Sequence, residues 1–168
     1  RSARRVSTVN QELVHGIPST KRKLVEGDIV SMDCGNVFEG YVADSAFTAP
    51  VGEVAPEVRQ LLEVTEAALY LGIAQMKAGN HVGDVGAAIQ RYVEGQGLHV
   101  VREYTGHGVG QRMHEGPQVP NYGVAGRGMV LRNGMTIALE PMVLIGGPAT
   151  RVTADQWTVV SANGKPTA

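Results

Sequence analysis

An α+β layer, with helices covering one face of an antiparallel sheet, is the fold class this sequence predicts. Three observations carry the expectation. Apolar residues alternate over 29–35 and again over 41–48, with a short Gly-containing connection between them. Two apolar stripes at helical spacing follow, over 56–77 and 84–96. Further short apolar runs come after the helices, so the chain reads as strand hairpin, two helices, then more strands.

Taken in order, residues 1–10 are of mixed character without a clear cap. Residues 11–28 carry the turn punctuation His-Gly-Ile-Pro-Ser and Glu-Gly-Asp. The segment 36–40 is a five-residue hairpin connection ending in Gly40. Pro56 suits the first turn of the first helix and Gly79 stops it. Its inward stripe is Val58, Leu61, Leu62, Leu69, Ile73 and Met76; the second helix turns Val85, Ala88, Ile89, Tyr92 and Val93 inward and closes at Gly97. Beyond it, 98–104 reads as a strand and 106–120 as an ordered loop rich in Gly and His. Strands are expected at 135–139 and 142–145, around a Glu140–Pro141 corner, and at 157–160. After Asn163–Gly164, a turn signal, the C-terminus has the look of a hairpin cut off before its second strand.

One domain over 1–168 fits this length, and a chain of this size buries roughly 70% of its unfolded surface without disulfide staples. Apolar residues make up 43% and the mean hydropathy is −0.07, both ordinary for a globular protein. The formal net charge of −1 leaves no basic face for nucleic acid. Two short basic runs, 1–5 and 21–23, read as solvated loop charge. The single cysteine, Cys34, cannot form an internal disulfide, which favours a reducing compartment. It alternates with Asp33 and reads as a small core residue. No run of about 18 apolar residues exists and nothing resembles a signal peptide, so a soluble, cytoplasmic chain is expected.

The chemistry lies in a spaced set of carboxylates and imidazoles: Asp33, Asp44, His107, His114 and Glu140. Such groups hold hard-to-borderline divalent metals. Asp33 sits between Met32 and Cys34, Asp44 between Ala43 and Ser45. A carboxylate in an apolar strand is costly unless something pairs it. One such Asp would be read as a hydrogen-bonded sheet residue. Two in facing strands are better explained by a shared cation, which offsets the repulsion that would otherwise drive a proton back onto one of them. The run Gly106-His107-Gly108-Val109-Gly110 is not followed by a helix pattern, so it is a weak nucleotide loop; its glycines let backbone pass close to a site. Glu140 ends an apolar run and needs a partner, either a metal or a salt bridge. His15 lies in a turn with Gly16 and Pro18 and favours a binding role, whereas His81 and His99 read as surface residues. These observations point to metal-assisted hydrolysis.

The segments 10–19, 24–35, 43–52, 104–122 and 131–143 resemble those of type I methionine aminopeptidases, in order and at fitting distances. The interval of 26 residues from His114 to Glu140 is similar to the type I branch. The resemblance implies a pita-bread fold, with Asp33, Asp44, His107 and Glu140 holding two divalent ions drawn from Co, Mn, Fe and Zn. It implies a water activated by those ions, Glu140 as proton shuttle, His114 on the scissile carbonyl and His15 on the substrate backbone. Met113 and Trp157 would line a pocket for the methionine side chain. The substrate implied is the N-terminus of a nascent polypeptide, at the ribosome, and the enzyme implied is a monomer without direct contact to nucleic acid or membrane. The sequence also departs from the family pattern. Val6 stands where the family usually has Cys, and the basic run 1–5 does not fit. The family's N-terminal portion and a final strand carrying a fifth ligand, a bridging Glu, fall outside 1–168. Weakened metal binding is therefore expected, with one ion kept by Asp44, His107 and Glu140, and low or absent turnover. The rival readings are an inactive pita-bread module that acts in binding, and a prolidase-like peptidase.

Overall fold

A computed structural model describes residues 3–168, with side chains from Ser7 onward. The side chains of the 1–5 basic run and of Val6 lie outside the described residues. The elements are β1 (Ala3–Val9), β2 (Glu12–Val14), β3 (Ile29–Phe38), β4 (Tyr41–Pro50), α1 (Pro56–Gln75), α2 (Val82–Gly95), β5 (His99–Val100), β6 (Thr105–Gly108), β7 (Glu115–Pro120), β8 (Ile137–Ala138), β9 (Val143–Leu144), β10 (Thr150–Val152) and β11 (Val159–Ser161). All strand pairs among them are antiparallel. They form the sets β1-β3-β4, β10-β11-β2, β5-β9 and β7-β6-β8.

The β3–β4 hairpin is tighter than expected. Asn36–Phe38 stay extended and pair with Ala43–Tyr41, so the turn is Glu39–Gly40 alone, both at positive φ (49° and 85°). Two left-handed residues match the twist of the flanking strands. The register sets Asp33 opposite Ala46 and Asp44 opposite Gly35. Both aspartates therefore share one face, diagonally placed.

The opposite face of this hairpin is open: Met32, Phe47 and Cys34 are exposed. Cys34 is thus corrected from a core residue to a surface thiol. It does alternate with Asp33, but no layer of the described chain covers that side.

Helix α1 buries Val58, Leu61, Val64, Ala68 and Gly72, not Ile73, which is 47% exposed. The stripe turns toward Gly72 because α1 crosses its neighbours there. A Cβ at Gly72 would lie 2.9 Å from Leu139 Cδ2 and 3.0 Å from Ile89 Cδ1. Helix α2 begins with a capping box: the Asp84 carboxylate accepts from the His81 N–H at 2.7 Å, and the His81 side chain caps in return. His81 is therefore a half-buried cap, and His99, in β5, is also half-buried. Together Leu61, Ile89, Val93, Val100, Val119 and Val143 form the main core, and Leu13, Val101, Met142, Leu144 and Val159 a second one beneath β11. Ile89 is fully buried, so Ile89→Ala is expected to cost about 2–5 kcal/mol, read as a lower urea midpoint at unchanged slope.

The largest departure from expectation is 106–120. It is the hairpin β6–β7, not a loop, and β6 is the middle strand between β7 and β8. Gly108 permits it: a Cβ there would run into the Gly116 carbonyl oxygen. Elsewhere the strand foreseen at 98–104 shrinks to His99–Val100, and the mixed N-terminal segment, part of 11–28 and 150–152 are strands. The last two residues are not left unpaired. Thr167 bridges Leu144, and Ala168 exchanges two backbone hydrogen bonds with Val143, at 2.7 and 3.1 Å.

Candidate metal centre

Four elements deliver the polar cluster. The β3–β4 hairpin presents Asp33 and Asp44 on its inner face. Strand β6 presents His107 from the middle of its sheet, 8% exposed, with Gln118 and Ala138 as its cross-strand partners. Glu140 follows β8 by two residues.

His107 Nδ1 lies 2.9 Å from the Gly108 carbonyl oxygen, which can only accept, so Nδ1 carries the proton. That leaves Nε2 a lone pair when the ring is neutral. Nε2 faces Glu140 Oε1 at 3.1 Å and Asp44 Oδ2 at 3.5 Å. Glu140 Oε1 is buried and accepts no hydrogen bond among the described residues. Three groups able to ligate a metal thus converge, and their candidate ligand atoms all lie within 4.8 Å of one another. This donor set fits a divalent cation. A backbone carbonyl holding the outer nitrogen of a His is the usual second support of a metal-binding imidazole.

The electrostatics agree. Burial, opposed by His107 and reinforced by Asp44 and Asp33, pushes the Glu140 carboxyl up to about 7. Burial, then the Asp44 charge, also raises Asp33. Carboxylates held this uncomfortably without a cation are stabilised by one.

The cluster lines a cavity of about 540 Å³, which also takes in His15, Met113 and His114. The His114 ring is exposed and stands 4.3 Å from that of His107 at 60°. His15, at a φ of 61°, is half-buried. Trp157 is not among the cavity-lining residues. It is 56% exposed and stacks on the His15 ring at 5.1 Å and 27°, while Tyr104 meets that ring edge-on at 6.0 Å.

Sequence reasoning passed over Tyr104, Arg112 and Gln118, which also line the cavity, and Asp155, which shapes its surroundings. Tyr104 and Gln118 lie in or beside the Gly- and His-rich stretch, the one signal that could have drawn attention to them. Asp155 had none. Its Oδ1 accepts from Thr153 Oγ1 (2.5 Å) and from the Trp157 and Thr158 N–H groups (2.9 Å each), and its Oδ2 from Thr158 Oγ1 (2.6 Å). The two threonine hydroxyls, then those amides, hold its carboxyl well below the usual carboxylate range. This turn presents Trp157 to His15. Because Trp157 is the chain's one tryptophan, its emission reports the contact. Asp155→Ala is expected to shift and broaden that emission, and His15→Ala to change it in the parent but not in the Asp155→Ala background.

An antiparallel α+β frame thus carries a carboxylate–imidazole cluster in a cleft, a donor set suited to a divalent metal. The comparisons make it particular: the chain belongs to metallopeptidase family M24, whose model matches residues 6–161. It is 50% identical over 158 residues to methionine aminopeptidase 1 of Bacillus subtilis, covering 94% of this chain and 63% of that one. It is 46% identical over 158 residues to the methionine aminopeptidase of Clostridium acetobutylicum, again covering 94% and 63%. The crystal structure of the methionine aminopeptidase from Thermotoga maritima superposes with a TM-score of 0.96 at 46% identity, covering 98% of this chain and 66% of that one. The fold is the pita-bread arrangement, incomplete relative to these relatives. The chain spans a little under two thirds of their length.

Proposed function

We propose that this chain carries the metal centre of an aminopeptidase that removes the N-terminal methionine from polypeptides, as the names of its relatives suggest for them. The observation that carries the reading is the convergence of Asp44, His107 and Glu140 ligand atoms in a cavity that also holds Met113. Asp44, His107 and Glu140 would hold one divalent ion, and Asp33 a second, with Asp44 shared between them. When bound, such ions supply Lewis acidity and lower the pKa of water toward neutrality. Co, Mn, Fe and Zn all suit these ligands.

The remaining steps fall to the chain's own groups. Glu140 accepts the proton of the attacking water and returns it to the leaving amine. His114, exposed at the cavity edge, donates to the scissile carbonyl oxygen as negative charge develops there. His15 holds the substrate backbone beyond the scissile bond, steadied by Trp157 and Tyr104. Met113, half-buried beside the aspartates, packs against the methionine side chain; thioether on thioether adapts well to an unbranched partner. The substrate is a nascent chain, met in the cytoplasm.

A substrate panel tests this reading. With added Mn or Co, slow release of methionine is expected from Met-Ala-Ser, in keeping with weakened metal binding, with far less leucine from Leu-Ala-Ser and no cleavage of X-Pro dipeptides. Preferential cleavage of the X-Pro dipeptides would contradict it. His114→Ala is expected to lower kcat by about 100-fold with little change in KM, since its contact strengthens in the transition state.

A further inference from the structure

Two Asn-Gly pairs occur in the chain, Asn133–Gly134 and Asn163–Gly164, and the fold treats them differently. Asn-Gly is the dipeptide most open to attack of the following amide nitrogen on the side-chain carbonyl, because Gly offers no Cβ to obstruct it.

Asn163 is clamped at every atom this reaction needs. Its Nδ2 donates to the Ile145 carbonyl at 2.8 Å, and its Oδ1 accepts from the Lys165 N–H at 2.9 Å. The attacking group, the Gly164 N–H, donates to the Ser161 carbonyl at 3.3 Å.

Asn133 is not clamped. It sits with Gly134 in the middle of an exposed turn closed by the Met135 N–H on the Arg132 carbonyl at 3.3 Å. Among the described residues its side chain makes no hydrogen bond, and the Gly134 N–H finds no backbone acceptor. Gly134 is at a φ of 89°, a conformation open to glycine, so the turn itself favours this dipeptide.

We propose that Asn133 is a site of spontaneous, structure-selected deamidation and isoaspartate formation, from which Asn163 is protected. The Gly134 nitrogen forms a bond to Asn133 Cγ, and the Cγ–Nδ2 bond breaks. Nδ2 leaves as ammonia, taking the Gly134 amide proton, and a five-membered imide remains. Water then adds across one of the two imide C–N bonds. Opening on one side gives an ordinary aspartyl residue at this position; opening on the other gives an isoaspartyl link with one extra methylene in the main chain. In sum, amide and water become carboxylic acid and ammonia, with no redox change.

The position gives the lesion a consequence. The new carboxylate appears in the lining of a second cavity, of about 200 Å³, which Lys77 and Arg132 also line. The lengthened main chain feeds directly into Thr136, whose hydroxyl donates to the Val109 carbonyl and whose own carbonyl accepts from the Val109 N–H at 3.1 Å. Those bonds tie the approach to β8 to the segment just after His107.

The test is to age the full chain at mildly alkaline pH, natively and in urea, and to map aspartate and isoaspartate at both positions by mass-spectrometric peptide fragmentation. In the native chain Asn133 is expected to convert at least about tenfold faster than Asn163, since three hydrogen bonds hold the Asn163 reaction closed. In urea the two rates are expected to converge. Comparable native rates, or a gap that survives unfolding, would overturn the proposal. Asn133→Gln is expected to remove the fast signal and leave the slow one.

Discussion

Asp44→Ala is expected to abolish metal-dependent release of methionine from Met-Ala-Ser, with kcat/KM falling by at least about 100-fold. Two effects combine. Asp44 Oδ2 is one of the three converging candidate ligand atoms, and in the proposed reading Asp44 is also shared with a second ion at Asp33. Losing even an outer support of a metal ligand costs roughly 10–100-fold in affinity or activity, and loss of a ligand costs more. Asp44 sits on a hairpin whose register is set by backbone bonds and the Glu39–Gly40 turn, so the variant is expected to fold. An unchanged far-ultraviolet spectrum together with lost release is the predicted pair of results. Release that persists at the parent rate in Asp44→Ala would sink the assignment.

The second large effect is a linkage between protons, metal and stability. In the metal-free chain Glu140 titrates near 7, against an ordinary value of 4.5, and Asp33 is raised as well. Between those two values the folded state holds protons that the unfolded state has released. Stability of the metal-free protein therefore falls as pH rises from about 4.5 to about 7. A divalent ion binds the ionised carboxylates, so it competes with the same protons and its affinity rises over the same window. The gain in Tm on adding Mn is expected to be several-fold larger at about pH 8 than at about pH 5. Thermal scans with and without Mn at the two pH values check it. A metal-induced gain that is equal at both, or larger at the acidic one, would show that Glu140 is not where the ion binds.

Legibility of the sequence divides along physical lines. The hairpin and both helices could be read because their periodicity is local and their punctuation, Pro56, Gly79 and Gly97, is strong. The donor residues could be read because carboxylates in apolar strands demand an explanation. What could not be read was set by partners distant in sequence. The strand state of β6 is imposed by β7 and β8, since Thr-Gly-His-Gly has little strand propensity of its own. Ile73 and Cys34 looked like core residues, but burial depends on what lies across from a face. Trp157, whose N–H donates to Asp155, reaches His15 from more than a hundred positions away.

The hairpin turn shows how much one local detail decides. A five-residue connection over 36–40 would pair Gly35 with Tyr41. Asp33 would then stand opposite Ala43, and Asp44 would face the other side of the sheet. The two-residue turn shifts the pairing by an odd number of positions and brings both aspartates to one face. The candidate metal centre thus depends on the left-handed pair Glu39–Gly40, at the far end of the hairpin.

Cobalt titration tests the central claim most directly. Co(II) added to the metal-free chain gives a visible absorption band whose intensity reports coordination number and whose growth reports affinity. If Asp44, His107 and Glu140 hold the ion, the parent chain shows a saturable band, and His107→Ala shows it weakened and shifted to much higher cobalt concentration. The same band at the same affinity in His107→Ala would contradict the account.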